Sequence, residues 1–235
     1  MKSCILMLVC CLSIGVFAGD FIEKKELTLK KSGISEMEID CGSGYLKITG
    51  DPGIDEIQVE AEIYAEDIRD RDKEDFVKEN IKLYLEKDGR TAVLGSRVNR
   101  SFWSSKNVQI NLDIRVPDNL DFDIDDGSGS IEISRIKGDL EIDDGSGSMQ
   151  LTSIVGNVRI DDGSGSLDID DVQGDVDVDD GSGSLSITDI DGSVRLSDGS
   201  GGIDIDGVTK DVDIRDSGSG SLNISNVKGT VTKKD

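Results

Sequence analysis

DDGSGSIEISRIKGDLEI at 125–142 is followed without a gap by DDGSGSMQLTSIVGNVRI (143–160), DDGSGSLDIDDVQGDVDV (161–178), DDGSGSLSITDIDGSVRL (179–196) and SDGSGGIDIDGVTKDVDI (197–214). A looser sixth copy opens at Arg215 with one extra residue, and the pattern puts the break near Ser217. A unit repeated at a fixed period cannot bury its apolar face alone, so successive copies stack as coils around one continuous core. Aliphatics occupy positions 7, 9, 12, 16 and 18 of the unit, as Ile131, Ile133, Ile136, Leu140 and Ile142 in the first copy and Leu167, Ile169, Val172, Val176 and Val178 in the third. Two alternating pairs nine residues apart give each coil two short strands whose alternate residues face a thin core. The expected fold is all-β, a β-solenoid of the β-helix or β-roll kind built from flattened 18-residue coils. A triangular coil with six-residue sides would need an aliphatic at position 6, where Ser130, Ser148, Ser166 and Ser184 stand.

Upstream of the repeats lie three further zones. At 1–18, Lys2 precedes an apolar run over 5–16 and Val16-Phe17-Ala18 offers small residues for cleavage, the pattern of a secretory signal peptide. The run is too short to span a bilayer as a helix. Residues 19–65 hold a diverged coil: Asp40-Cys41-Gly42-Ser43-Gly44 aligns with the repeat from Asp125, and Met37 and Ile39 match Phe122 and Ile124. An alternating strand follows at 55–64. Residues 66–107 break the repeat with a short charged helix at 70–80, whose main apolar contact is Phe76, and a hairpin at 81–94 with an Asp88-Gly89 turn. Phe102-Trp103 reads as a plug over the open end of the stack. Residues 108–235 then enter through the strand Val108 to Val116 and form the regular solenoid, ending in Lys233-Lys234, lysines that discourage edge-to-edge pairing.

Net charge is −23 with no histidine, and 125–214 alone holds 23 acidic against 5 basic residues. Nucleic acid and anionic membranes are therefore poor partners, whereas cations and basic surfaces suit the chain. Three of the four cysteines lie in the signal, and Cys41, without a histidine to activate it, reads as a small core residue.

Stacked coils turn each repeat position into a column. Position 17 runs Glu141, Arg159, Asp177, Arg195, Asp213, alternating in sign as a salt-bridge ladder would. Positions 1 and 2 stack like charges instead: Asp125, Asp143, Asp161 and Asp179 in one column, and Asp126, Asp144, Asp162, Asp180, Asp198 and Asp216 in the next. Repulsion along such columns must be compensated. Either the position 2 carboxylate caps backbone N–H groups of the Gly-Ser-Gly corner, or Asp125, Asp126, Asp143, Asp144, Asp161, Asp162, Asp179 and Asp180 hold Ca²⁺, which favours oxygen-rich sites. The corner lacks the aspartate of the calcium-binding roll repeat GGxGxDxLx. Its glycines serve the turn, because phosphate cradling needs a helix N-terminus or a nearby lysine.

VPDNLDFDIDDGSGSIEI at 116–133, followed by copies of GSGSLxIxxVxGxVxV, resembles the bacterial putative-adhesin family of β-strand-repeat proteins, a domain of unknown function similar to the head domain of autotransporter adhesins. The resemblance spans 39–231 and implies an exported β-solenoid with no catalytic residues. The signal peptide directs the chain to the periplasm, cell surface or medium, and the polar ladders on its faces, including Glu132, Gln150, Asp168, Ser186 and Asp204 at position 8, suit an envelope polysaccharide or protein as partner. The unusually regular DDGSGS corner departs from it. Other expectations for such a chain are a calcium-dependent binding module or, since solenoids can carry paired carboxylates, a polysaccharide-cleaving enzyme. An active site breaks repetition, however, and these pairs recur in every coil.

Overall fold

A computed structural model describes residues 19–99 and 107–234. The proposed signal peptide and Phe102-Trp103 lie outside the described residues.

The repeats form a parallel β-solenoid. Strand β7 (Asp121–Ile136) leads into alternating short and longer strands: β8 (Leu140–Asp144), β9 (Gly147–Val155), β10 (Val158–Asp162), β11 (Gly165–Gln173), β12 (Val176–Asp180) and β13 (Gly183–Ile190). The stack continues through β14 (Val194–Val208), β15 (Val212–Ser219), β16 (Leu222–Ser225) and β17 (Val231–Lys233). Each strand pairs in parallel with its counterpart one period away, as Val158↔Val176 and Leu167↔Leu185 show. In the five regular copies the side chains at positions 7, 9, 12, 16 and 18 are sealed inside, among them Met149, Leu151, Ile154, Val158 and Ile160 in one coil.

Two strands per coil follow the predicted spacing, but the longer one also bends. At position 11, Arg135, Ser153, Asp171 and Asp189 adopt left-handed φ values of 53–60°. That bend shifts the inward parity from odd positions 7 and 9 to even position 12, which a straight strand could not bury. The extra residue of the sixth copy is Arg215 rather than one near Ser217, because Leu196 pairs with Ile214 and Ser197 with Asp216. Asp216 thus takes position 1 and Ser217 position 2, so the position 2 aspartate column ends at Asp198.

Strand β2 (Glu36–Gly50) is the diverged coil. It stacks on β7 in the register its sequence implies, with Met37 on Phe122, Ile39 on Ile124 and Cys41 on Asp126. Its other edge is covered in two halves, by β5 (Thr91–Val98) over 36–40 and by β6 (Gln109–Val116) over 46–50. Antiparallel strands extend from this cover: β4 (Ile81–Asp88) on β5, β3 (Glu56–Ala65) on β6, and β1 (Asp20–Lys30) on β3. The strand β1 was not evident from sequence. A 3₁₀ turn at Asp70–Asp72 leads into α1 (Lys73–Asn80), which buries Val77 beside the expected Phe76. The inserted segment therefore caps the N-terminal end of the core.

Candidate functional site

Positions 1 and 2 are neighbours on one extended strand, so their side chains point to opposite faces. Asp125, Asp143, Asp161 and Asp179 are exposed, whereas Asp126, Asp144, Asp162, Asp180 and Asp198 are only 1–4% exposed and line the core. The two columns are divided by the solenoid wall and do not converge on a common centre. Among the described residues, no group of three or more acidic, cysteine or histidine side chains is arranged to hold a metal ion.

The inner column caps the corner. Oδ1 of Asp144, Asp162, Asp180 and Asp198 accepts the backbone N–H of Ser146, Ser164, Ser182 and Ser200 at 3.0–3.2 Å. Corner backbone groups also bond between coils, Gly145 N–H to the Asp126 carbonyl at 3.0 Å and Gly147 N–H to the Ser164 carbonyl at 2.9 Å. At the N-terminal end of this column the Cys41 thiol donates to Asp126 Oδ1 at 3.2 Å, and burial, then the Asp126 charge, pushes the thiol's pKa well above its usual value. The thiol is thus a core donor.

The second oxygens of Asp126, Asp144 and Asp198 are buried without a donor. Desolvation, then repulsion from the column neighbours, raises Asp144 and Asp180 to about 6, and desolvation leads the upward shifts of Asp126, Asp162 and Asp198. A column of charges about 4.8 Å apart cannot stay fully ionised at low cost.

The outer face of positions 15–17 carries a groove of about 920 Å³ running along the coils from Glu36 to Thr232. Its floor is the position 16 row, buried aliphatics after Phe122, and its walls are columns 15 and 17. In column 17, Arg159 meets Glu141 at 3.7 Å and Arg195 meets Asp177 at 3.2 Å, so each arginine reaches back to the preceding coil. These pairs are solvent-exposed and contribute at most about 1 kcal/mol each.

Column 15 is a second ladder that sequence reasoning passed over. Asp121 Oδ1 accepts Asp139 N–H at 2.9 Å, Asp139 accepts Asn157 N–H at 2.7 Å, Asn157 accepts Asp175 N–H at 3.1 Å and Asp175 accepts Ser193 N–H at 2.9 Å. Each side chain holds the next coil by its backbone. The signal was available in the column Asp, Asn, Asp, Ser, Asp, read as column 17 was. On another face, the position 8 residues Asp168, Ser186 and Asp204 border a depression of about 520 Å³.

No family model matches the chain, and no curated protein matches it. Among solved structures it is similar to a "putative cell adhesion protein" of Clostridium sporogenes, at 12% identity and a TM-score of 0.39 over 90% of this chain and 98% of that one. It is also similar to a "putative lipid binding protein" of Parabacteroides distasonis, at 13% identity and a TM-score of 0.34 over 90% and 97%. A "putative adhesin" of the same organism is similar at 11% identity, with a TM-score of 0.39 over 90% of this chain and 97% of that one.

Proposed function

We propose that the protein is a non-catalytic, exported solenoid that acts at the cell envelope as an adhesive or structural surface, with an envelope polysaccharide or protein as its partner. The observation that carries this is the groove over positions 15–17, which continues from coil to coil without a unique cluster of reactive groups. A surface repeated along a rigid stack suits an extended polymer better than a small substrate. The paired aspartates at positions 1 and 2 support the same conclusion, since each pair is split across the wall and the arrangement recurs in every coil. Export rests on the apolar run at 5–16, and among the described residues no helix is long and apolar enough to cross a membrane.

Calcium remains the second proposal for the aspartates. The exposed column Asp125, Asp143, Asp161 and Asp179 favours it, because these like charges stack in register along one face.

Protease treatment of intact cells, followed by sedimentation of the purified protein with isolated envelope fragments, tests the leading function. Protection of the protein inside intact cells, together with no co-sedimentation, would overturn it.

A further inference from the structure

Along the groove the two walls change character together. Both are acidic at Asp139 with Glu141, at Asp175 with Asp177 and at Asp211 with Asp213, and between these coils stand Asn157 with Arg159 and Ser193 with Arg195. From Asp139 to Asp213 the acidic pairs therefore recur every second coil, a spacing of about 9.6 Å, and one further pair, Asp121 with Asp123, stands in the coil directly before Asp139.

We infer that the groove binds a basic peptide in the polyproline II conformation with Lys or Arg at every third residue, an assignment that rests on the envelope-surface function proposed above. A polyproline II helix has three residues per turn and rises about 3.1 Å per residue, so such side chains line one face about 9.3 Å apart. Three of them meet three acidic pairs with little accumulated mismatch. The same backbone makes no internal hydrogen bonds, which leaves its carbonyls as acceptors for Arg159 and Arg195 in the intervening coils.

Charge sets the sign of the ligand: nine carboxylates line the groove against two guanidiniums. Glu141 and Asp177 already carry an arginine from the next coil, and Asp175 carries Lys210 at 3.6 Å. All three pairs are exposed and exchange cheaply. The groove presents no exposed aromatic ring on which a sugar could stack, because its one aromatic, Phe122, is buried.

The test measures fluorescence anisotropy of a labelled peptide of four Pro-Pro-Lys units against a control of the same composition with its lysines contiguous. The variant Asp139→Asn/Asp175→Asn/Asp211→Asn removes one charge from each acidic pair. It keeps the ladder, since Asn157 already fills this column and accepts the Asp175 N–H. The periodic peptide is expected to bind about tenfold tighter than the control, and the variant to lose about tenfold. Should the triple variant fold poorly, Asp213→Asn alone is expected to lose about threefold.

Equal affinity for the two peptides would overturn the assignment, as would undiminished binding by the variants or tighter binding of an amine-bearing polysaccharide such as a chitosan oligomer. Envelope co-sedimentation without peptide binding would overturn the peptide alone and leave the surface function standing. Peptide binding by a protein that never leaves the cytoplasm would do the reverse.

Discussion

Asp144 accepts the backbone N–H of Ser146 through one carboxylate oxygen, at 3.2 Å, while its other oxygen lies buried without a donor. The relationship is half stabilising and half costly, and Asp198 repeats it against Ser200. Caps of this kind fix the corner. The stacking that repeats them places like charges in the core, and desolvation, then repulsion between neighbours, raises the proton affinity of Asp144 and Asp180.

Stability should therefore fall as pH rises. The folded pKa of Asp144 and Asp180 is about 6, above the unfolded value of roughly 3.9. Protonation thus favours the folded state, a contribution fully present below about pH 4 and lost as pH rises through about 6. Thermal unfolding should show a higher midpoint at pH 5 than at pH 8. The general relief of net charge acts in the same direction, so the variant Asp144→Asn/Asp180→Asn isolates the column. It keeps the Oδ1 acceptor and should raise the midpoint at pH 8 by about 5 °C while flattening the pH dependence. An unchanged pH slope in this variant would mean that the column is not the source.

Gly147 at position 5 should tolerate no side chain. Its φ is +151°, and a Cβ there would overlap the carbonyl oxygen of Gly129 in the coil below. Both backbones belong to the stacked corner, so neither can yield by a rotamer change. Gly147→Ala should cost more than about 3 kcal/mol, beyond the common range for a point substitution. At the hairpin turn a Cβ on Gly89 meets nothing within 4 Å, so Gly89→Ala should cost only the left-handed backbone penalty of about 1–2 kcal/mol. Chemical denaturation of the two variants side by side checks the contrast, and equal losses would remove the steric explanation.

The period, the inward aliphatic columns and the stacking of Cys41 on Asp126 were legible in sequence because stacking forces equivalent residues to share one environment. The position 11 bend was harder to see. Arg135, Ser153, Asp171 and Asp189 have no side-chain type in common, and only the parity change between positions 9 and 12 marks it. Counting the sixth copy from Arg215 puts Asp216 in the inner column, whereas strand pairing makes Arg215 itself the extra residue. For the candidate site, column 17 could be read from sequence. The groove could not, since its other wall, column 15, is set by side chains that hold the next coil's backbone N–H groups rather than by a charge pattern.

Column 15 offers a test of how coils are held together. Asn157 receives the Asp175 N–H and donates its own N–H to Asp139, so it links three coils. Replacing Asn157 by Ala removes one of these bonds and should cost about 1 kcal/mol, which lowers the midpoint by roughly 2–4 °C for a chain of this size. Asn157→Asp keeps the acceptor and should cost less, its remaining penalty coming from Asp139 and Asp175 on either side. Loss in the Ala variant alone identifies the ladder bond. Equal loss in both would assign the effect to charge and packing instead.

Calcium should distinguish the two faces of the DD corner. Any ion bound by Asp126, Asp144, Asp162, Asp180 and Asp198 would have to enter a core whose neighbouring positions are Ile, Leu and Val, whereas Asp125, Asp143, Asp161 and Asp179 are open to solvent. A ligand that binds only the folded state raises the unfolding midpoint with its concentration, while a salt that merely screens acts through ionic strength. In matched ionic strength, Ca²⁺ and Na⁺ should therefore raise the midpoint by similar small amounts, with EDTA neutral. A large rise confined to Ca²⁺ would instead place binding on one of the columns. Its loss in Asp143→Asn/Asp161→Asn, with retention in Asp144→Asn/Asp180→Asn, would locate it on the outer face and make calcium part of how that face meets its partner.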